Sequence, residues 1–257
     1  MRYAFALTML LSIVHGVPVF GQSAADAYYD PAEMAKARAE LKASHGAQIS
    51  SLILGERLEY HSNDSDPLAV WEGQGWIGSD LSKLWFKTEG EYATGESKFE
   101  EAEVQALYSC AISPFWELQA GVRQDIKPDP SRTYAVLGAQ GMAQYWFELD
   151  GALFLSDEGD ISARLEAEYE LRLTQRLILQ PRIELNGAFS DDKDIGVGSG
   201  LSTAEAGVRL RYEFTRELAP YIGVSWSRSF GETKDIQRLE DEATKQVSFV
   251  AGLRFWF

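Results

Sequence analysis

The feature that most constrains the fold is an alternation of apolar and polar residues that persists for about ten residues at a time. It is clearest in ISARLEAEYEL, Ile161 to Leu171, where apolar side chains take one set of alternate positions and mostly charged side chains take the other. A helix would spread these charges around its whole circumference, whereas an extended strand places them on one face. The segment is therefore predicted to be a strand with one apolar and one charged face.

The same alternation recurs along the chain from Ile49 onward. It is clear in residues 147–155, 177–189 and 204–214, and noisier in the earlier segments. No helical period persists over the same region. The pattern predicts twelve strands, at residues 52–61, 70–77, 83–92, 101–108, 115–125, 133–141, 147–155, 161–171, 177–189, 204–214, 221–230 and 247–257.

Twelve such strands could form a soluble sandwich, a lipocalin-like fold or a membrane barrel. Strands of soluble sheets usually have about five or six residues, whereas a tilted strand that crosses a bilayer needs roughly 9 to 11. Aromatic residues fall near strand ends, as in the girdles at the two lipid–water boundaries. Tight turns alternate with longer or more acidic loops, which is typical of bacterial outer-membrane barrels. We therefore predict a closed antiparallel transmembrane β-barrel whose last strand is SFVAGLRFWF.

The N-terminal region is predicted to precede the barrel as two segments. Residues 1–21, with Arg2 before an apolar stretch, have the pattern of a secretory signal peptide; the alternative is a buried N-terminal helix. Residues 22–48 form a periplasmic segment with one short helix, which Asp30 caps and Pro31 begins. Residues 49–257 form the barrel, in the outer membrane of a Gram-negative cell, with the N-terminus in the periplasm.

Composition excludes several classes of function. The formal net charge is −15, which disfavours nucleic acid as a partner because phosphate binding needs clustered Lys and Arg. The single cysteine, Cys110, cannot form an internal disulfide. Only His45 and His61 remain beyond the signal peptide, and neither forms a Ser–His pair suited to a barrel hydrolase. We predict no enzyme, and outer-membrane lipid as the surrounding partner.

With the apolar faces outward, the lumen receives many charges of both signs. Acidic residues form two groups: Glu89, Glu91, Glu101 and Glu103 on two consecutive predicted strands, and Glu166, Glu168 and Glu170 on one. These groups predict a cation path or binding site. The alternative is a ladder of salt bridges between neighbouring strands that fills a narrow lumen.

Several long segments resemble the copper resistance protein B family of Gram-negative outer membranes. They are WEGQGWIGSDLSKLWFKTEGE, ALYSCAISPFWELQAGVRQD, SARLEAEYELRLTQRLILQPRIELN, GSGLSTAEAGVRLRYEFTRELAPYIGVSW and SFVAGLRFWF, with YYDPAEMAKARAELKASHG before them. The resemblance runs from about Tyr28 to Phe257 and implies an outer-membrane barrel that binds copper and serves copper tolerance without turnover. Periplasmic copper-handling proteins would then be partners. The final aromatic strand resembles the signature that barrel-assembly machinery recognises.

The sequence departs from this family in its soft metal ligands. Many members carry Met- and His-rich tracts ahead of the barrel, suited to copper, whereas few such residues stand there in this chain. A copper site would have to combine scattered His and Met residues with lumen carboxylates. The alternative function is a narrow general porin or structural barrel with no specific metal role. The candidate metal ligands are His45, His61, Met34, Glu89, Glu91, Glu101, Glu103, Glu166 and Glu168.

Overall fold

The computed structural model describes residues 26, 28–45, 48–62, 67–239 and 243–257. The predicted signal peptide, residues 1–21, lies outside the described residues. Helix α1, Pro31–His45, belongs to a compact unit separate from the sheet. Its predicted N-cap is confirmed, because the Asp30 carboxylate accepts a hydrogen bond from the backbone N–H of Ala32 at 2.8 Å.

The second unit is a single sheet that closes on itself into the predicted barrel. All registered strand pairs are antiparallel, and β8 and β9 both pair with β10, so together they fill one position of a ring of twelve. The strands are β1 Ser50–Ser62, β2 Leu68–Gly78, β3 Ser82–Ala93, β4 Lys98–Ser113, β5 Trp116–Lys127, β6 Arg132–Met142, β7 Phe147–Ser156, β8 Ile161–Tyr169, β9 Leu171–Arg172, β10 Leu177–Ala188, β11 Gly200–Tyr212, β12 Leu218–Ser229 and β13 Lys245–Trp256.

The barrel is closed by pairing of the first strand with the last. β1 runs antiparallel to β13, and the backbones of Ile53 and Phe257 exchange two hydrogen bonds of 3.0 and 2.9 Å. Closure leaves no open sheet edge, which in hydrocarbon would expose unpaired N–H and C=O groups. The strand predicted at SFVAGLRFWF therefore completes the ring.

Burial along the strands is inverted relative to a water-soluble protein. Outward-facing apolar side chains such as Ile222 and Phe249 are 64% and 73% exposed, whereas Arg182 and Gln119 are 4% and 2% exposed. A soluble protein rarely buries charge in this way while exposing so many large apolar side chains. The predicted arrangement of apolar faces outside and charge inside is confirmed.

One strand changes its register partway along. Gly55 of β1 pairs with Gly73 of β2, but the next pair is Arg57 with Glu72, so Glu56 forms a β-bulge. The side chain of Glu56 still points inward, because it accepts a hydrogen bond from Gln74 at 2.7 Å. The bulge explains why the alternation in β1 is noisier than in later strands.

The connections define two ends of the barrel, which we name the turn end and the loop end. The turn end carries connections 79–81, 114–115, 143–146, 173–176 and 213–217, and the loop end carries 63–67, 94–97, 128–131, 157–160, 189–199 and 230–244. The predicted difference in length is marked only at 189–199 and 230–244. The other acidic loops are short because the strands extend into the residues predicted as loop.

The long connection between β12 and β13 contains a helix where the sequence predicts only a loop. Helix α2, Gly231–Leu239, begins at a residue with φ of 54°, a value that glycine adopts readily. Thr233 is buried, and Asp235 and Arg238 face outward. The helix is only nine residues long, so its period of 3.6 is too brief to stand out from the surrounding charges. Neither helix in the described part of the chain is long and apolar enough to cross a membrane.

Close strand contact at one glycine leads to a stability prediction. A Cβ at Gly121 would lie 2.1 Å from the Ala106 carbonyl oxygen, whereas a Cβ at Gly151 would meet only the Leu165 side chain at 3.7 Å. We expect Gly121→Ala to destabilise the barrel by about 1–3 kcal/mol, because backbone must move. The control Gly151→Ala should stay within about 0.5 kcal/mol of the parent. Urea unfolding of purified protein in detergent measures both, and equal midpoints for the two variants would contradict the close contact.

Candidate functional site

A vestibule opens into the barrel at the loop end. It is a cavity of about 240 Å³ between strands β3 to β8, β10 and β11, connection 189–199 and helix α2. Most of its wall consists of side chains near the ends of these strands. They point into the cavity because lumen-facing residues alternate with lipid-facing ones along each strand. Its carboxylates are Glu89, Glu101, Glu103, Asp125, Asp160 and Asp192.

Two arginines form the floor of the vestibule. Arg164 on β8 contacts Glu89 of β3 at 2.6 Å and Glu103 of β4 at 3.1 Å. Arg123 on β5 contacts Glu103 at 2.7 Å and Asp125 at 2.6 Å. Each guanidinium therefore joins carboxylates on different strands, as bidentate arginine geometry favours.

Aromatic rings lie beneath these arginines. The Arg123 guanidinium carbon is 4.7 Å from the ring centroid of Phe154 and 5.2 Å from that of Tyr134. Arg164 approaches the same Phe154 ring at 5.9 Å. These cation–π contacts help to fix the positions of both guanidinium groups.

Connection 189–199 and helix α2 cover one side of the vestibule. Arg132 on β6 holds Asp192 through contacts of 3.2 and 3.3 Å. The buried Thr233 hydroxyl of α2 accepts a hydrogen bond from the Gly198 backbone N–H at 2.9 Å. A Cβ at Gly198 would lie 2.4 Å from the Glu232 side chain, so the close approach of the two segments requires glycine there.

Two vestibule carboxylates are not engaged by a basic side chain of the described residues. Glu101 has no ion pair there, and Asp160 accepts a hydrogen bond from the Ser190 hydroxyl at 2.8 Å without contacting a base. The remaining four carboxylates each contact an arginine. Glu101 and Asp160 are therefore the groups most available to a bound cation.

Below the vestibule, a second group of ion pairs crosses the lumen. We name this the central layer: Arg57, Glu72, Glu166, Arg182, Glu184 and Glu205. Arg182 on β10 contacts Glu72 at 3.3 Å, although β2 and β10 lie nearly opposite each other in the ring. Arg57 contacts the same Glu72 at 3.3 Å and Glu205 of β11 at 3.5 Å. The predicted salt bridges thus also join strands that are not neighbours.

An apolar cluster fills part of the remaining lumen. Trp85, Leu107, Tyr134, Val136 and Phe154 are all buried and pack together from strands β3, β4, β6 and β7. Gln119 of β5 is also buried, and its amide donates a hydrogen bond to Gln140 at 3.1 Å. Side chains of strands β3 to β7 therefore occupy part of the lumen.

The structure brings together some of the predicted metal ligands. Glu89, Glu101 and Glu103 line the vestibule. Glu91 is the cross-strand partner of Glu101 but does not line the cavity. Glu166 contacts Arg182 at 2.7 Å in the central layer, and Glu168 lies farther along β8 toward the turn end.

The predicted His and Met ligands lie elsewhere. His61 is buried on β1, and its Nε2 lies 2.7 Å from Glu59, whose carboxylate also accepts a hydrogen bond from Arg209 at 3.0 Å. Met34 is on helix α1. The side chain of His45 lies outside the described residues. Among the side chains that the structure describes, no group of three or more His, Cys, Asp or Glu residues is arranged to hold a metal ion.

Sequence reasoning missed several residues of these networks. Glu56 and Glu72 face the lumen beside the bulge, where the alternation changes phase. Arg132 and Asp192 join a strand to a loop, and no periodic pattern marks loop residues. The signal that could have found Glu72 is its position directly opposite Glu89 on β3, which follows from pairing of consecutive strands.

Comparisons with known proteins agree with the fold and with the family resemblance. A family model described as "Copper resistance protein B precursor (CopB)" matches residues 49–257. "Copper resistance protein B" of Escherichia coli is 46% identical over 84% of this chain and 72% of its own length. "Copper resistance protein B homolog" of Pseudomonas syringae pv. tomato is 48% identical over 83% of this chain and 72% of its own. The structure titled "NanC porin structure in rhombohedral crystal form" is similar with a TM-score of 0.51 and 11% identity, over 80% of this chain and 99% of that one, which shows a shared fold.

Proposed function

The chain belongs to the copper resistance protein B family, and from this premise we propose that it contributes to copper tolerance by binding copper ions in the vestibule. The barrel is an outer-membrane protein. We place its N-terminus in the periplasm, so that the loop end and the vestibule face the exterior. Barrel-assembly machinery and periplasmic copper-handling proteins are the proposed partners.

The observation that carries this proposal is the convergence of carboxylates from several strands on one cavity. Glu101 and Asp160 offer oxygens that no basic side chain of the described residues occupies. Divalent copper binds nitrogen and oxygen sites more strongly than the other first-row divalent ions do. Because neither His nor Cys is among the described lining residues, the proposed ligand is Cu²⁺ held through oxygen atoms.

The described residues do not form a dedicated, tight copper centre. The absence of a described three-ligand group supports loose and exchangeable binding, as suits a cargo ion. Tight sites need a complete ligand set with supporting hydrogen bonds. We therefore propose binding at the surface of the cell without enzymatic turnover.

The central layer favours binding over free diffusion through the barrel. An open narrow porin would need a lumen clear of side chains along its length, whereas Arg182 and Glu72 meet across this one. Passage of copper would require these ion pairs to rearrange. We favour retention of copper at the vestibule over a general porin function.

The proposal predicts a copper-specific growth defect. In a strain lacking the gene, we expect the wild-type protein to restore growth at elevated copper. Glu101→Gln/Asp160→Asn should restore it poorly, because both vestibule carboxylates without a described basic partner are lost. Growth on dose series of copper and of zinc measures the effect. The matched control, Glu96→Gln/Glu217→Gln, removes two exposed carboxylates at connections 94–97 and 213–217. Equal rescue by both double variants at equal membrane levels would refute copper binding at the vestibule.

A further inference from the structure

Two basic side chains lie side by side on the outer surface of the barrel near the loop end. Arg228 of β12 and Lys245 of β13 are direct cross-strand partners, and both are exposed. Both follow the lipid-facing alternation of their strands. On β12 the outward residues include Ile222 and Val224, and on β13 they include Val247 and Phe249.

Neither cation forms an ion pair with another residue that the structure describes. Most basic side chains in the described part of the chain form an ion pair, but no described carboxylate lies within ion-pair distance of Arg228 or Lys245. The Arg228 guanidinium lies 5.1 Å from the Phe230 ring centroid. Like charges directly opposite each other on antiparallel strands are destabilising. An anion between the two side chains would remove this repulsion.

The pair stands at the edge of the apolar band. Moving toward the loop end, the outward cross-strand pairs are Val224 with Phe249, Trp226 with Val247, and then Arg228 with Lys245. Two residues of strand span about 7 Å, so the cations lie about that far beyond the indole-bearing pair. Tryptophan marks the lipid–water boundary in membrane barrels. The cations are therefore at the depth of lipid headgroups.

We infer that Arg228 and Lys245 bind the phosphate of an anionic membrane lipid, a role that goes beyond copper tolerance. A guanidinium and an ammonium on adjacent strands can both donate charge-assisted hydrogen bonds to one phosphate. The apolar residues on the same face, from Trp226 to Phe249, would contact the acyl chains. Free phosphate shares the headgroup chemistry but makes no contact with this apolar face, and the two sources can be separated by experiment.

The test compares lipid retention by the full purified protein and two double variants. Native mass spectrometry in detergent measures phosphatidylglycerol binding to the wild type, to Arg228→Ala/Lys245→Ala and to Lys98→Ala/Arg176→Ala. The last variant is the matched control: it removes two exposed cations without ion pairs among the described residues, at opposite ends of the barrel. A cation near an anionic lipid surface contributes about fivefold in affinity. We expect roughly thirtyfold weaker binding in Arg228→Ala/Lys245→Ala and a change below about threefold in the control.

A charge-preserving variant and a competing anion distinguish lipid binding from binding of any phosphate. Arg228→Lys/Lys245→Arg should retain phosphatidylglycerol, because both charges remain. Inorganic phosphate should neither bind measurably nor compete at millimolar concentration, because it lacks acyl chains. Equal retention by the wild type and Arg228→Ala/Lys245→Ala would overturn the inference. Displacement of the lipid by inorganic phosphate would also overturn it, by showing that the pair recognises any phosphate.

Discussion

Arg182→Met is expected to destabilise the barrel by about 3–5 kcal/mol, the usual cost of removing one partner from a buried ion-pair network. Arg182 is 4% exposed and contacts Glu166 at 2.7 Å, Glu184 at 2.8 Å and Glu72 at 3.3 Å. The substitution leaves Glu166 without its described basic partner, and it removes one of the basic partners of Glu184 and Glu72. Urea unfolding of the purified protein in detergent, followed by tryptophan fluorescence, measures the loss.

Two further variants test whether charge, rather than packing, causes this loss. Arg172→Met is the control, because Arg172 is exposed and its one ion pair among the described residues is with Glu170 at 3.9 Å. Its effect should be below about 0.5 kcal/mol. Adding Glu166→Gln to Arg182→Met should recover part of the stability, since it removes the stranded charge. Equal unfolding midpoints for Arg182→Met and Arg172→Met would show that the central layer contributes little.

Wild-type protein is expected to show no steady ion conductance in a planar lipid bilayer, because the central layer and the apolar cluster occupy the lumen. Arg182→Ala/Glu166→Ala should raise the conductance above background, because it removes the contact of Arg182 with Glu72 across the lumen. The double variant removes a base and an acid together, so the net charge is unchanged. Glu72 and Glu205 keep their contacts with Arg57, at 3.3 and 3.5 Å.

The control for the conductance experiment is Lys36→Ala/Glu40→Ala. It also removes one base and one acid, from an exposed pair 4.0 Å apart on helix α1. It should leave the conductance at background. A wild-type conductance typical of an open porin would contradict the obstructed lumen and would favour the general porin function over copper retention.

The strands were predictable because one physical requirement acts on every residue in them. Each position faces either lipid or the lumen, so Ile161 to Leu171 shows in its letters which face each side chain takes. The alternation does not show where a strand is interrupted. The ladder is interrupted at Glu170, which separates β8 from β9, and the Glu170 carboxylate accepts a hydrogen bond from Arg254 at 2.8 Å.

Partners across the lumen could not be predicted in the same way. Alternation places Arg182 inside, and pairing of β2 with β3 places Glu72 there. Whether the two meet depends on the tilt and stagger of strands nearly opposite in the ring. Those two residues are separated by 110 positions in the sequence. Neighbouring strands are simpler, since the register of one hairpin fixes which residues stand opposite each other.

Only the vestibule residues that lie on strands could be predicted from the sequence. Glu89, Glu101 and Glu103 follow from the alternation and from pairing of consecutive strands. Asp160 and Asp192 come from connections whose conformation depends on specific hydrogen bonds, as with Ser190 and Arg132. The soft ligands expected from the family resemblance are too few and too scattered for any pattern to place them.

The bulge at Glu56 divides β1 into two halves, and the alternation of inward and outward side chains differs between them by one residue. On one side of the bulge Ser51 and Ile53 are exposed to lipid, and on the other Leu58 and Tyr60 are, so the outward positions change from odd to even numbers. Removing this single residue would not merely subtract a carboxylate. One half of β1 would have to shift by one residue relative to its neighbours. Either Arg57 and Glu59 would then face hydrocarbon, or the pairing of β1 with β13 would have to change.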